Sequence, residues 1–112
     1  MLKSEAIFLR HILDEANFCI KHTILVKKEK FEEDEVLQKA LIRSLEIIGE
    51  ASSKVTLDFK QKYPEVNWRE MKLMRNKLIH HYFGVDLDLV WDTLVKEIPV
   101  LKQQIEFILV DL

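Results

Sequence analysis

Disulfides, frequent turns and membrane spans all lack raw material in this chain. Cys19 is the only cysteine among 112 residues, which excludes an intramolecular disulfide. Flanked by Phe18 and Ile20, it reads as a small core residue in a reducing, cytoplasmic setting. Two glycines and two prolines are too few to punctuate the many short strands of an all-β chain. No uncharged run reaches the roughly 18 residues of a membrane helix, and Met1-Leu2-Lys3-Ser4-Glu5 carries an acid where a secretory leader would be basic and then apolar. A soluble, unprocessed protein with no membrane contact is expected.

What remains is 48% hydrophobic and 32% charged residues, dominated by helix formers. An all-α fold follows, and the length suits a single helical domain over 1–112 that buries enough apolar surface to fold alone. Net charge is −2, which argues against a generic nucleic-acid binder, but the charges are uneven. Residues 54–81 carry seven basic and three acidic groups, +4 in all, between flanks of −2 and −4. Such a zone can guide a phosphate backbone to one face, although a basic helix face is also a common way of staying solvated.

Four main helices are legible. In the first, from about Leu2 to Lys27, the residues Leu2, Ala6, Leu9, Leu13, Ala16, Ile20 and Ile24 form a core stripe, while Ile7, Phe18 and Leu25 form a second that could meet another helix or subunit. Lys28 to Asp34 reads as a charged connection, with Asp34 as N-cap of a second helix reaching about Leu57. Its buried face is Val36, Leu37, Ala40, Leu41, Ser44, Ile47, Ile48, Ala51 and Val55. Arg43, Glu46 and Glu50 share its other side, either as a surface ladder worth a few tenths of a kcal/mol or as acids that orient a cation of the site. Asn67 followed by Glu70 resembles a capping box opening a third helix from Trp68 to about Phe83, which Gly84 ends in a left-handed conformation. Asp86 caps a fourth, kinked or split at Pro99.

The third helix holds the oddity. Placing Trp68 at 0° and advancing about 100° per residue puts Met74, Leu78, Met71, Tyr82 and Ile79 on an apolar arc from about 240° to 20°, with Arg75 inside it near 340°. A guanidinium there needs a partner, a wet cleft or an anionic ligand. Asn76 falls near 80° and His80 near 120°, so Arg75 and His80 lie about 140° apart and flank a groove rather than meet. Asn76 is one turn below His80, in reach to hold its tautomer. The same helix from a twofold mate could complete the site, which favours a homodimer. His80 and His81 sit where the helix dipole favours imidazolium, with His81 at the edge of the apolar arc. A proton-transferring imidazole and a fixed guanidinium are the parts that metal-free RNA cleavage requires. His11 and His22 are eleven residues apart and the other two histidines are adjacent, neither a ligand spacing on one helix; no metal or cofactor is expected.

Arg75-x-x-x-x-His80-x-Tyr82, followed by Phe83, resembles the motif of the HepT toxins of the HEPN superfamily. Arg43-Ser44-Leu45-Glu46-Ile47-Ile48-Gly49-Glu50-Ala51, Pro64, Asn67-Trp68 and Val90-Trp91 extend the similarity over about residues 36–109. Leu73 departs from it, standing where the family has a small glycine that allows close helix packing. The resemblance implies a dimeric four-helix bundle and a metal-independent endoribonuclease with Arg75, Asn76 and His80 in its site. It also implies a nucleotidyltransferase antitoxin that attaches AMP to Tyr82, placing a phosphate where it would occupy Arg75. The alternatives are a non-catalytic docking or substrate subunit of the nucleotidyltransferase, and a helical dimer that binds nucleotide.

Overall fold

The computed structural model describes residues 2–80 and 84–112, and those residues are helical with no strand. Helix α1 (Leu2–Lys21) buries Leu9, Ile12, Ala16 and Cys19 completely. The stripe therefore runs through Leu9 and Ala16 as expected, but it leans towards Ile12 and Cys19, leaving Leu13 and Ile20 half-buried. The helix also stops a turn and a half early. The Thr23 hydroxyl donates to the Cys19 carbonyl at 2.7 Å, an alternative to continued helix that Thr offers readily. With the phase lost, Ile24 is 71% exposed.

The expected charged connection is a short helix, α2 (Lys28–Glu33). Its one apolar residue, Phe31, is fully buried, with its ring 5.1 Å from that of Trp91, and Lys28 pairs with Asp88 at 2.8 Å. Helix α3 (Glu35–Lys54) starts where its cap predicts, the Asp34 carboxylate accepting from the Leu37 N–H at 3.0 Å. A second short helix, α4 (Leu57–Lys62), is capped by Thr56 and anchored by buried Phe59. Helix α5 (Trp68–His80) begins as expected, the Asn67 carbonyl accepting from the Met71 N–H. The turn expected through Phe83 falls outside the described residues, and no described glycine has positive φ, so the left-handed stop expected at Gly84 is not seen.

Asp86 caps α6 (Leu87–Asp92) through the N–H groups of Asp88 and Leu89. The distortion expected at Pro99 lies ahead of it. A π-helical turn spans Thr93–Glu97, and Pro99 occupies the first turn of α7 (Ile98–Asp111). Proline has no N–H to give, and its ring clashes with the carbonyl four residues back. The wider π turn places that demand where a missing donor is tolerated. The four main helices expected thus correspond to α1, α3, α5 and the α6–α7 unit, with α2 and α4 as short additions. No helix among the described residues is long and apolar enough to cross a membrane.

α3 is central. α1 packs on one side of it and on α7, while α5 packs on the other side and finds in α3 its main neighbour. Gly49 sets the α3–α5 distance: a Cβ built there would lie 2.5 Å from the Arg75 Cβ and 2.6 Å from the Met71 carbonyl oxygen. The departure at Leu73 therefore costs no close packing, because α5 approaches through Gly49, and Leu73 points to the edge of a cleft at 39% exposure.

Two outcomes test this packing. Gly49→Ala gains up to about 1 kcal/mol of helix propensity but forces backbone apart, at a cost of about 1–3 kcal/mol. Urea titration should show a net loss of stability, and a gain would disprove the contact. Cys19 is fully buried, and burial, with a smaller push from Glu15 against the Ser44 hydrogen bond, raises its thiol to about 12. The unfolded thiol ionises near pH 8.5, so the protonated form is the one the fold favours; stability should fall as pH climbs from there towards 12. At pH 8, a disulfide reagent should label the thiol at the unfolding rate, and rapid labelling of native protein would contradict its burial.

Candidate active site on helix α5

Helix α5 is held at three points. At its start Trp68 is buried, its indole N–H donating to the Tyr63 carbonyl at 3.0 Å. In the middle Met71 and Arg75 lie against α3, where the Ser52 hydroxyl donates to the Met71 sulfur at 3.3 Å. Near the end Leu78 is 4% exposed. These contacts define which way every other side chain of the helix faces.

Arg75 leaves the helix directly over Gly49, with its Cβ and Cγ against the surface that glycine vacates. The residue is half-buried, and its Nε is buried without a hydrogen-bond partner. Burial of an unpaired guanidinium nitrogen is unfavourable, so the arginine in the apolar arc is a real feature of the fold. Asn76 is half-buried and His80 is exposed. The five-residue step from Arg75 to His80 amounts to about 7.5 Å along the axis and about 140° around it. One copy of α5 thus presents a guanidinium on the α3 side and an imidazole facing outward, and does not bring them together. Tyr82 and His81 lie outside the described residues.

Of the three α3 residues expected to support the site, Arg43 and Glu46 pair with each other at 3.3 Å, and Glu50 is exposed. No ion pair joins either acid to Arg75 among the described residues. The Glu46 side chain is nonetheless only 19% exposed and lies one turn before Gly49, on the helix that carries Arg75's packing partner. Among the described residues no group of three His, Cys, Asp or Glu is placed to hold a metal ion.

Two features escaped sequence reasoning. Gly49 is one, although a glycine inside a buried helix stripe was a usable signal for close approach. The other is a cleft of about 470 Å³ between α5 and the α6–α7 unit, with Leu45 and Ile48 as its floor and Met71 and Met74 on its wall. Neither Arg75 nor His80 lines it, and the π turn that shapes its far wall has no sequence signature.

A model of the HepT-like family, described as ribonuclease HepT-like, matches residues 12–108. A protein of Caldanaerobacter subterraneus subsp. tengcongensis, provisionally named an RNase, is 44% identical over 108 residues, which is 96% of each chain. A protein of Thermococcus cleftensis, provisionally named ribonuclease HepT, is 44% identical over 106 residues, 95% of this chain and 96% of its own. A Methanocaldococcus jannaschii protein, again provisionally named an RNase, is 42% identical over 101 residues, 90% of this chain and 93% of its own. No solved structure matches. With its arginine seated over Gly49 and its histidine turned outward on the same helix, the chain belongs to the HepT-like ribonuclease family.

Proposed function

We propose that this ribonuclease is the toxin of a toxin–antitoxin pair, a cytoplasmic homodimer that cleaves RNA internally without a metal ion. The observation that carries this reading is the split between Arg75 and His80: one α5 offers the guanidinium and the imidazole on different sides. A second α5 across a twofold axis supplies what the first lacks, so that Arg75 of one subunit faces a groove shared with the His80 of its mate.

In that groove Arg75 pairs its fork with two oxygens of the scissile phosphate and opposes the charge that builds on them. A neutral imidazole accepts the 2′-OH proton as the 2′-oxygen bonds to phosphorus. The phosphorus to 5′-oxygen bond breaks, and an imidazolium gives the leaving oxygen its proton. The base and the acid are the His80 side chains of the two subunits, and the products are a 2′,3′-cyclic phosphate and a 5′-hydroxyl, with no net change in protonation of the enzyme because one His80 gains the proton that the other gives up. Asn76, one turn below His80, holds the imidazole in the tautomer that this exchange requires. Glu46 and Glu50 flank the Arg75 side of α3, where Glu46 limits the directions open to the guanidinium, and Arg43 balances it.

The reading extends to control. A nucleotidyltransferase antitoxin transfers AMP from ATP to the Tyr82 hydroxyl, which loses its proton as pyrophosphate departs; Tyr82 lies two turns beyond Arg75 on the same side of the helix pattern. The added phosphate is an anion of the kind that Arg75 binds, so modification and substrate compete.

Purified, unmodified protein should cleave RNA in EDTA to leave cyclic phosphate ends, and Arg75→Ala and His80→Ala should each reduce cleavage by at least about 10²-fold while helical circular dichroism is retained. Equal cleavage by wild type and both variants refutes the active-site assignment. Intact mass after co-expression with a candidate nucleotidyltransferase should show AMP on the wild type and none on Tyr82→Phe. AMP transfer combined with no cleavage by the unmodified dimer would instead identify a docking subunit.

A further inference from the structure

The site described so far binds one phosphate, while the helix that carries it has more cations than that phosphate uses. Arg69 and Lys72 are exposed and have no ion-pair partner among the described residues. With Trp68 at 0°, Arg69 falls near 100° and Lys72 near 40°, on the same flank as Asn76 near 80° and His80 near 120°. The four positions step by three, four and four residues, one helical turn each. The single acid of α5, Glu70, projects near 200° and lines the cleft beside the α6–α7 unit instead.

Helix α4 carries a further cation, Lys60, which is half-buried. Its ammonium is held below the usual lysine range, by burial first and by Lys72 second, with Glu5 opposing the shift. Glu5 is itself 3% exposed, one of its carboxylate oxygens has no hydrogen-bond partner, and no ion pair joins it to either lysine among the described residues. Two cations set against each other repel, and an anion arriving from outside relieves that repulsion.

We infer that Arg69 and Lys72 form a phosphate track on the outward flank of α5, along which a single strand of RNA is led to Asn76 and His80, with Lys60 of α4 adding positive charge near Lys72. The inference rests on the ribonuclease reading above and specifies its substrate. Arg69 to His80 spans about 16 Å of helix, a few phosphates of one strand. The stripe is one helix wide, which suits one backbone better than two. Attack by a 2′-oxygen also requires it to align with the departing 5′-oxygen, an arrangement that a stacked A-form duplex resists and a free strand reaches. Because the cations meet phosphates and no base edge, the track holds RNA regardless of sequence.

The test uses the full chain carrying His80→Ala, so that bound RNA survives, and reads fluorescence anisotropy of a labelled single-stranded oligonucleotide across a salt series. Each phosphate contact contributes about 0.7 to the slope of log affinity against log salt for a single strand. Added Lys72→Ala or Arg69→Ala should lower the slope by about that amount and weaken binding to unrelated sequences alike, and Lys72→Arg should restore it. Lys39→Ala, removing an exposed lysine already paired with Glu35, should leave the slope as it was. Slopes unchanged by the Lys72 and Arg69 variants, an equal drop with Lys39→Ala, or tighter binding of a duplex of the same length would each overturn the track. None of those results bears on whether wild type cleaves RNA through Arg75 and His80, which the EDTA assay decides separately. Loss of the slope for binding an acidic protein, with RNA binding unaffected, would assign the cations to a partner surface and also overturn it.

Discussion

The distance between two helix backbones is the constraint on which the site depends. α5 has α3 as its main neighbour, and at Gly49 the absent side chain is what lets the helices meet. Any β-carbon there would displace either a carbonyl oxygen or the stem of Arg75. The guanidinium is therefore positioned by packing of its own aliphatic stem, not by an ion pair. Among the described residues its charged end has no ion pair, and Nε is in the unfavourable position of being buried and unpartnered. Strain of this kind is tolerated where an incoming anion relieves it, and it is the physical meaning of an arginine within an apolar stripe.

Once α5 is seated, its remaining surface divides into flanks with different chemistry. Met71 and Met74 turn towards the cleft beside the α6–α7 unit, while the outward flank is polar and basic, ending at His80. The two sides of one helix thus differ in chemistry, the cleft side mixing apolar groups with charges of both signs and the other flank carrying Arg69 and Lys72. The division also explains how an overall acidic chain can handle RNA: the acids concentrate on other segments, and the flank leading to the histidine carries positive charge without neutralising neighbours on its own helix.

Much of this was legible from residues whose physics is local. Asp34 and Asp86 are short acceptors ahead of helical runs, and both cap as expected because capping involves only the next three residues. Arg75 could be recognised as out of place from periodicity alone. What failed depended on distant neighbours. Val36 was expected inside and is 79% exposed, since a helix pattern does not say which of its turns has another helix beside it. Phe31 was hidden in a charged stretch, and its burial becomes intelligible only with Trp91 across from it. The role of Gly49 likewise needed the partner helix, for a glycine costs helix stability and only the approach of Met71 and Arg75 repays it. The angular offset between Arg75 and His80 follows from helix geometry alone, so it was visible before the fold was.

The π turn at Thr93–Glu97 has a consequence for chain length. A π turn holds about one residue more than an α turn over nearly the same rotation. The extra residue is thus taken up inside Thr93–Glu97, and Leu101, Ile105 and Ile108 stay inside on the face that Val90 and Leu94 begin. Losing one residue within the turn would leave a continuous α-helix with the residues beyond it close to their present phase, whereas losing one from the regular helix after it would rotate everything beyond by about 100° and swing those side chains towards water. A change of length by one residue is therefore tolerated at this turn and not along the rest of α7.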